Sequence, residues 1–196
     1  MNLKELNPPL IELPAGQTFY RVQRLRARSD TVKINGLLLA PAGNLSGRFC
    51  LPDQVTAYLA DSVDTALFES RFRRDTKIRC LEEFQKRALV QFVTTNPLRL
   101  LDLRQLAEPY PLLQSLRYEH TQALAFESFN AGHQGVIYAS AQQAEHACIC
   151  LFPAGIGALK RQQQQPLVKP GTRRLLHVVL DAARRSGVPL LGNDEG

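Results

Sequence analysis

No stretch of this sequence stays apolar for the roughly 18 to 20 residues that a membrane-crossing helix requires, so no bilayer span is expected. The segment Met1 to Leu10 lacks a basic region followed by an apolar one, and no signal peptide is expected. Cysteine is sparse: Cys50, Cys80, Cys148 and Cys150 show no CxxC spacing and form no Cys/His cluster. Reduced, mostly buried thiols and a cytoplasmic protein are the expectation, with no metal site. The sequence has no Walker A loop, no GxGxxG opening a helix, no HExxH and no GxSxG. Its histidines, His120, His133, His146 and His177, are scattered, so histidine-based catalysis has no support. There is no internal repeat.

What remains is ordinary for one globular domain: 196 residues, 44% hydrophobic and 21% charged. A formal net charge of +6 permits an acidic partner such as a nucleic acid, an acidic protein or a small polyanion. The basic residues concentrate in Arg71 to Arg87 and in Lys160 to Arg174.

Residues 1–17 are Pro-rich and read as an N-terminal arm lying on the domain. Strands are expected at Phe19–Val22, Thr56–Ala60, Val90–Val93, Leu98–Leu103, Gly135–Ser140 and Ala147–Phe152. Gly36, Pro41, Gly43 and Gly47 mark turns or loops over 35–48. Asp61 or Ser62 can cap a helix running from Val63 to about Arg73, with Val63, Ala66, Leu67 and Ser70 on one face. Further helices are expected over Leu81–Ala88, Leu112–Ser128 and Thr172–Arg185, a surface loop over 153–171, and a loose C-terminal end. This mixture predicts an α/β (α+β) fold.

Several polar residues sit oddly in these elements. Arg21 lies in a strand-like aromatic run, Glu69 flanks the apolar stripe of its helix, and Ser140 ends an apolar strand. Arg48 stands in a loop before the Tyr58 strand. Each has a local explanation. Arg21 could be an edge-strand or ion-paired arginine, and Glu69 could pair with Arg73 at i,i+4. Ser140 could satisfy a strand end, and Tyr58 could be a core aromatic with a bonded hydroxyl.

As an ordered set, the same pieces resemble the RES domain, named for arginine, glutamate and serine. Phe19-Tyr20-Arg21-Val22 resembles its arginine strand, and Gly47-Arg48-Phe49 its glycine–arginine–aromatic loop. Tyr58-Leu59-Ala60 followed by Thr65-Ala66-Leu67-Phe68-Glu69 resembles its tyrosine strand and Ala-x-x-Glu helix. Pro97 to Leu103, Gly135 to Ser140 and Ala147 to Phe152 resemble three later strands. Cys50 replaces a common Asn, and Ala139 and Gln142 replace a common Pro and Arg.

The resemblance covers residues 18–153 as a core, leaving 154–196 as loop, helix and tail packed on the same domain. It implies an ADP-ribosyltransferase-like fold, with two small sheets flanking an NAD cleft and helices around them. It implies an NAD⁺-degrading toxin that cleaves the nicotinamide–ribose bond as a glycohydrolase or phosphorylase. NAD⁺ would be the substrate, and no cofactor is implied. The implied partner is a helix-turn-helix, Xre-type antitoxin, with DNA contacted only indirectly through it. Arg21, Glu69 and Ser140 would be catalytic, and Arg48 and Tyr58 would join them in binding NAD⁺. Nicotinamide leaves as a neutral molecule, so no general acid is needed. The demand is instead to stabilise an oxocarbenium-like transition state. Two other readings stay open: an ADP-ribosyltransferase acting on a macromolecule, and a non-enzymatic basic module binding nucleic acid or protein.

Overall fold

The computed structural model describes residues 2–115 and 117–192; the C-terminal end expected to be loose lies largely outside them. The N-terminal arm is more ordered than its prolines suggest. Asn2 and Glu5 form a reciprocal capping box on helix α1 (Leu3–Leu6), and strand β1 (Leu10–Leu13) follows. After β2 (Thr18–Arg24), Asn35 and Gly36, both left-handed at φ 51° and 85°, turn the hairpin of β3 (Val32–Ile34) and β4 (Leu37–Leu39). A long loop leads to β5 (Ala57–Ala60). Ser62 caps α2 (Val63–Ser70) by accepting from the Thr65 amide at 3.1 Å.

Strand β6 (Arg79–Cys80), helix α3 (Leu81–Gln85) and strand β7 (Arg87–Thr94) follow, and β7 buries every second residue. The chain continues through β8 (Leu98–Asp102), α4 (Glu119–Asn130), β9 (Gly135–Ala139) and β10 (Ala147–Leu151). It ends with α5 (Pro153–Gly157), β11 (Leu159–Pro166), α6 (His177–Ser186) and β12 (Leu190–Leu191).

Eight strands form one sheet in the order β1-β8-β9-β10-β5-β2-β7-β11. Its ladder nearly breaks in the middle: β2 and β5 pair at a single position, Tyr20 with Ala60. The expected two small sheets are therefore two wings joined at one seam. The expected mixed α/β architecture is the observed one.

Four expectations are corrected. The loop over 153–171 contains α5 and β11; β11 is an edge strand exposed from Lys160 to Gln165, so its glutamines carry no alternating apolar signal. The helix over Leu112–Ser128 is a 3₁₀ turn at Pro111–Gln114 and then α4 from Glu119, because Pro111 favours a tight turn and Ser115 is extended. The helix expected from Thr172 starts at His177, because Leu175 bridges Val168 and the Leu176 amide donates to the Leu167 carbonyl. Helix α2 stops at Ser70, whose hydroxyl donates back to the Ala66 carbonyl at 2.6 Å.

Three apolar clusters fix the helices. Phe19, Leu39, Phe92 and Ile149 fill one. Leu67 of α2, Phe84 of α3 and Val179 of α6 share a second, and Phe49, Leu124 of α4 and Phe152 a third. Burying each such side chain contributes about 1.5–3 kcal/mol. Anchoring α2 through Ala66 and Leu67 turns Glu69 toward the seam.

Candidate active site

A cavity of about 470 Å³ lies at the seam between the wings, within the roughly 300–1,000 Å³ typical of small-molecule sites. Arg21 of β2 reaches across the seam. Its Nη1 donates to the Tyr58 carbonyl of β5 at 2.7 Å, while its buried Nε has no partner. Burial lowers the Arg21 pKa, with nearby Arg87 adding to the effect.

Tyr58 lines the cavity with its ring but commits its hydroxyl to the loop before it. That oxygen accepts from the Phe49 amide at 2.8 Å and lies 3.5 Å from Cys50 Sγ. Burial, first of all, raises its pKa well above the ordinary value. The loop packs so closely that a Cβ on Gly47 would stand 2.5 Å from the Tyr58 hydroxyl and 2.8 Å from Cys50 Sγ. From the far side, Gln122 Nε2 of α4 donates to the Leu45 and Gly47 carbonyls, both at 2.9 Å. Arg48 is thereby carried to the cavity, with its guanidinium 5.8 Å from the Tyr138 ring centroid and its buried Nε unpartnered.

Among the described residues, Glu69 is the one carboxylate in the cavity wall. Its Oε1 accepts from Ser140 Oγ at 2.6 Å and from the Ala141 amide at 3.0 Å. Ser140 Oγ in turn accepts from the Gln142 and Gln143 amides, both at 3.1 Å. Ser140 does not line the cavity and stands behind Glu69. The fold thus brings together all five residues singled out from the sequence. Arg21, Arg48, Tyr58 and Glu69 form wall, and Ser140 forms the support of the carboxylate.

Sequence reasoning missed four contributors. Arg71 and Arg73 line the cavity with buried Nε atoms that lack hydrogen-bond partners. Burial, then Arg87 and Arg79, lower the Arg71 pKa to about 10. Arg73 Nε lies 3.4 Å from Asp75 Oδ1 without hydrogen-bond alignment, so the expected Glu69–Arg73 pair gives way to a neighbour beyond the helix end. Gln122 and Gln142 act through backbone: Gln142 Oε1 accepts from the Arg74 amide at 2.8 Å and ties the Ser140 turn to the arginine segment. Arg71 entered the sequence reading only within the basic concentration after Ser70, and Arg73 also as a possible i,i+4 partner of Glu69.

Among the described residues, five buried side-chain polar atoms lack partners, and four are the Nε atoms of Arg21, Arg48, Arg71 and Arg73. Leaving a buried donor unsatisfied costs about 1–3 kcal/mol, more for a charged group. Four such donors around one cavity with a single carboxylate make a receptor for an anionic ligand that fork-shaped guanidinium groups can hold.

The RES domain matches residues 18–171 of this chain. The chain belongs to the RES domain family. The RES-domain protein is also similar in structure to a chain in the crystal structure of the M. tuberculosis MbcT–MbcA toxin–antitoxin complex. The TM-score is 0.56 at 18% identity, covering 78% of this chain and 85% of that one. At that identity the likeness speaks for the fold. No curated protein matches the sequence. The family match includes β11, so it runs past the Ala147–Phe152 segment at which the sequence resemblance stopped.

Proposed function

We propose that this RES-domain protein is a toxin that cleaves NAD⁺ between nicotinamide N1 and ribose C1′ and is held in check by a cognate antitoxin. The observation that carries the reading is the set of four arginines lining one cavity, their buried Nε atoms without hydrogen-bond partners, together with one oriented carboxylate. NAD⁺ presents a matching pattern: a diphosphate at its centre and a cationic ring on a ribose at one end.

Arg21 and Arg48 hold the diphosphate and ribose oxygens, with Arg71 and Arg73 of the same cavity contributing charge. Tyr58 offers its ring face to the nicotinamide, because its hydroxyl is engaged by Phe49. Glu69, with Oε1 fixed by Ser140 and Ala141, keeps Oε2 for a ribose hydroxyl and for the charge forming at C1′. When the C1′–N1 bond breaks, its electron pair stays on N1 and neutralises the pyridinium. Positive charge then spreads over C1′ and the ring oxygen, where a fixed carboxylate stabilises the transition state more than the substrate. An oxygen of water or phosphate supplies the electron pair of the new C1′–O bond, and a proton from water is released to solvent. Ser140 serves as a positioning residue for Glu69.

Membership of the RES family and the toxin–antitoxin origin of the similar structure support a toxin with an antitoxin partner of the Xre helix-turn-helix type, acting in the cytoplasm. Chromatography of NAD⁺ incubated with purified protein tests the chemistry. Nicotinamide should appear with equimolar ADP-ribose, or with phosphorylated ADP-ribose when phosphate is present. Intact NAD⁺ after prolonged incubation would refute the proposal.

A further inference from the structure

A second, smaller cavity of about 230 Å³ opens beside the first, and its wall is unbalanced in charge. Arg24, Arg28, Arg71, Lys86 and Arg87 line it against Glu82 and Glu83. Glu83 is already shared between Arg71 at 3.7 Å and Arg79 at 3.3 Å. Among the described residues, Arg24, Arg28, Lys86 and Arg87 have no ion-pair or side-chain hydrogen-bond partner.

The most informative contact is in the sheet. Arg24 of β2 and Arg87 of β7 are direct cross-strand partners, so two guanidinium side chains leave the same face from opposed positions. Like charges placed this way destabilise a sheet. Burial and then Arg24 lower the Arg87 pKa, which expresses the same crowding. The fold gathers part of the basic concentration from Arg71 to Arg87, with Arg24 and Arg28, around one concavity.

We propose that this second cavity binds a phosphate-type anion, gripped by the opposed Arg24 and Arg87 guanidinium groups and by Arg71. Such an anion relieves the cross-strand repulsion with charge-assisted hydrogen bonds. Arg71 lines both cavities, so occupancy of the second fixes a wall residue of the first. A free anion and the phosphates of a nucleotide share this chemistry. The site does not depend on NAD⁺ being cleaved, so either proposal can fail alone.

The test is calorimetric titration and thermal melting of the full chain with pyrophosphate, inorganic phosphate and ADP, against sodium chloride at matched ionic strength. Pyrophosphate should bind and raise the melting temperature beyond chloride. The double variant Arg24→Gln/Arg87→Gln should melt higher than wild type without anion and bind pyrophosphate at least about tenfold more weakly. Arg48→Gln weakens the diphosphate grip of the larger cavity, so pyrophosphate binding that persists in this variant, and is lost when Arg24→Gln/Arg87→Gln is added, reports the second cavity. ADP affinity that also depends on Arg24 and Arg87, and exceeds that of pyrophosphate, would support a nucleotide source; preference for the inorganic anions would support a free one. Pyrophosphate affinity unchanged in the double variant, lost in Arg48→Gln, or matched by chloride would overturn the proposal.

Discussion

Ser140→Ala separates support of the carboxylate from contact with substrate. The serine hydroxyl makes one charge-assisted bond, to Glu69 Oε1 at 2.6 Å, and accepts two backbone amides, both at 3.1 Å. A hydrogen bond to a charged group contributes about 1.5–3 kcal/mol net. The two amides lose their acceptor but are only partly buried, so together they add about 1 kcal/mol. The expected loss is thus about 2.5–4 kcal/mol, or about 5–16 °C in melting temperature for a domain of this size. Denaturant unfolding and thermal melting read this directly. Activity should fall as well, chiefly in kcat measured on folded protein, because Glu69 would no longer be fixed where charge develops. A double-mutant cycle with Glu69→Ala should give a coupling energy of about 1–2 kcal/mol. Additive effects in that cycle, or wild-type kcat in a stable Ser140→Ala protein, would refute the positioning role.

Gly47→Ala should lower both stability, by about 1–3 kcal/mol, and NAD⁺ turnover, since its Cβ would press on the Tyr58 hydroxyl and Cys50; melting and nicotinamide release check the two effects. Gln122→Ala removes both bonds that latch the Arg48 loop, so KM for NAD⁺ should rise more than kcat falls, as steady-state kinetics would show. Burial pushes the Asp102 carboxyl up, but hydrogen bonds from the Arg104 side chain and backbone amide, with the Arg104 charge, outweigh it and hold the group below its ordinary value of 3.8. A depressed folded-state pKa stabilises above the unfolded value and is lost as pH falls through the folded one. The melting-temperature deficit of Arg104→Gln should therefore be largest above about pH 5 and shrink toward pH 3.

Legibility in the sequence followed the kind of signal each feature carries. The strands holding Arg21 and Tyr58, and the one that ends just before Ser140, read clearly because they are rich in apolar and aromatic residues, and Ser62 announced α2. Strand β11 was hidden because an edge strand exposed on both faces needs no apolar side chains; its Gln-rich stretch pairs with β7 through backbone alone. The wall arginines Arg71 and Arg73 were hidden for another reason. They follow the end of α2, and their inward direction is set by where Phe72 buries in the second cluster. Gln122 and Gln142 bond main-chain atoms 77 and 68 residues away, contacts that leave no local trace. Ser140 was found, but its place behind Glu69 depends on a turn whose amides close onto its own hydroxyl.

Nicotinamide release from NAD⁺ by purified wild-type protein and by Glu69→Gln, with folding of both confirmed by melting, tests the central claim most directly. Glutamine keeps the size of the side chain and removes the charge proposed to face C1′. The account predicts release by the wild type and a loss of about 10²- to 10³-fold or more in the variant. Equal release by the two proteins, or none by either, would contradict it.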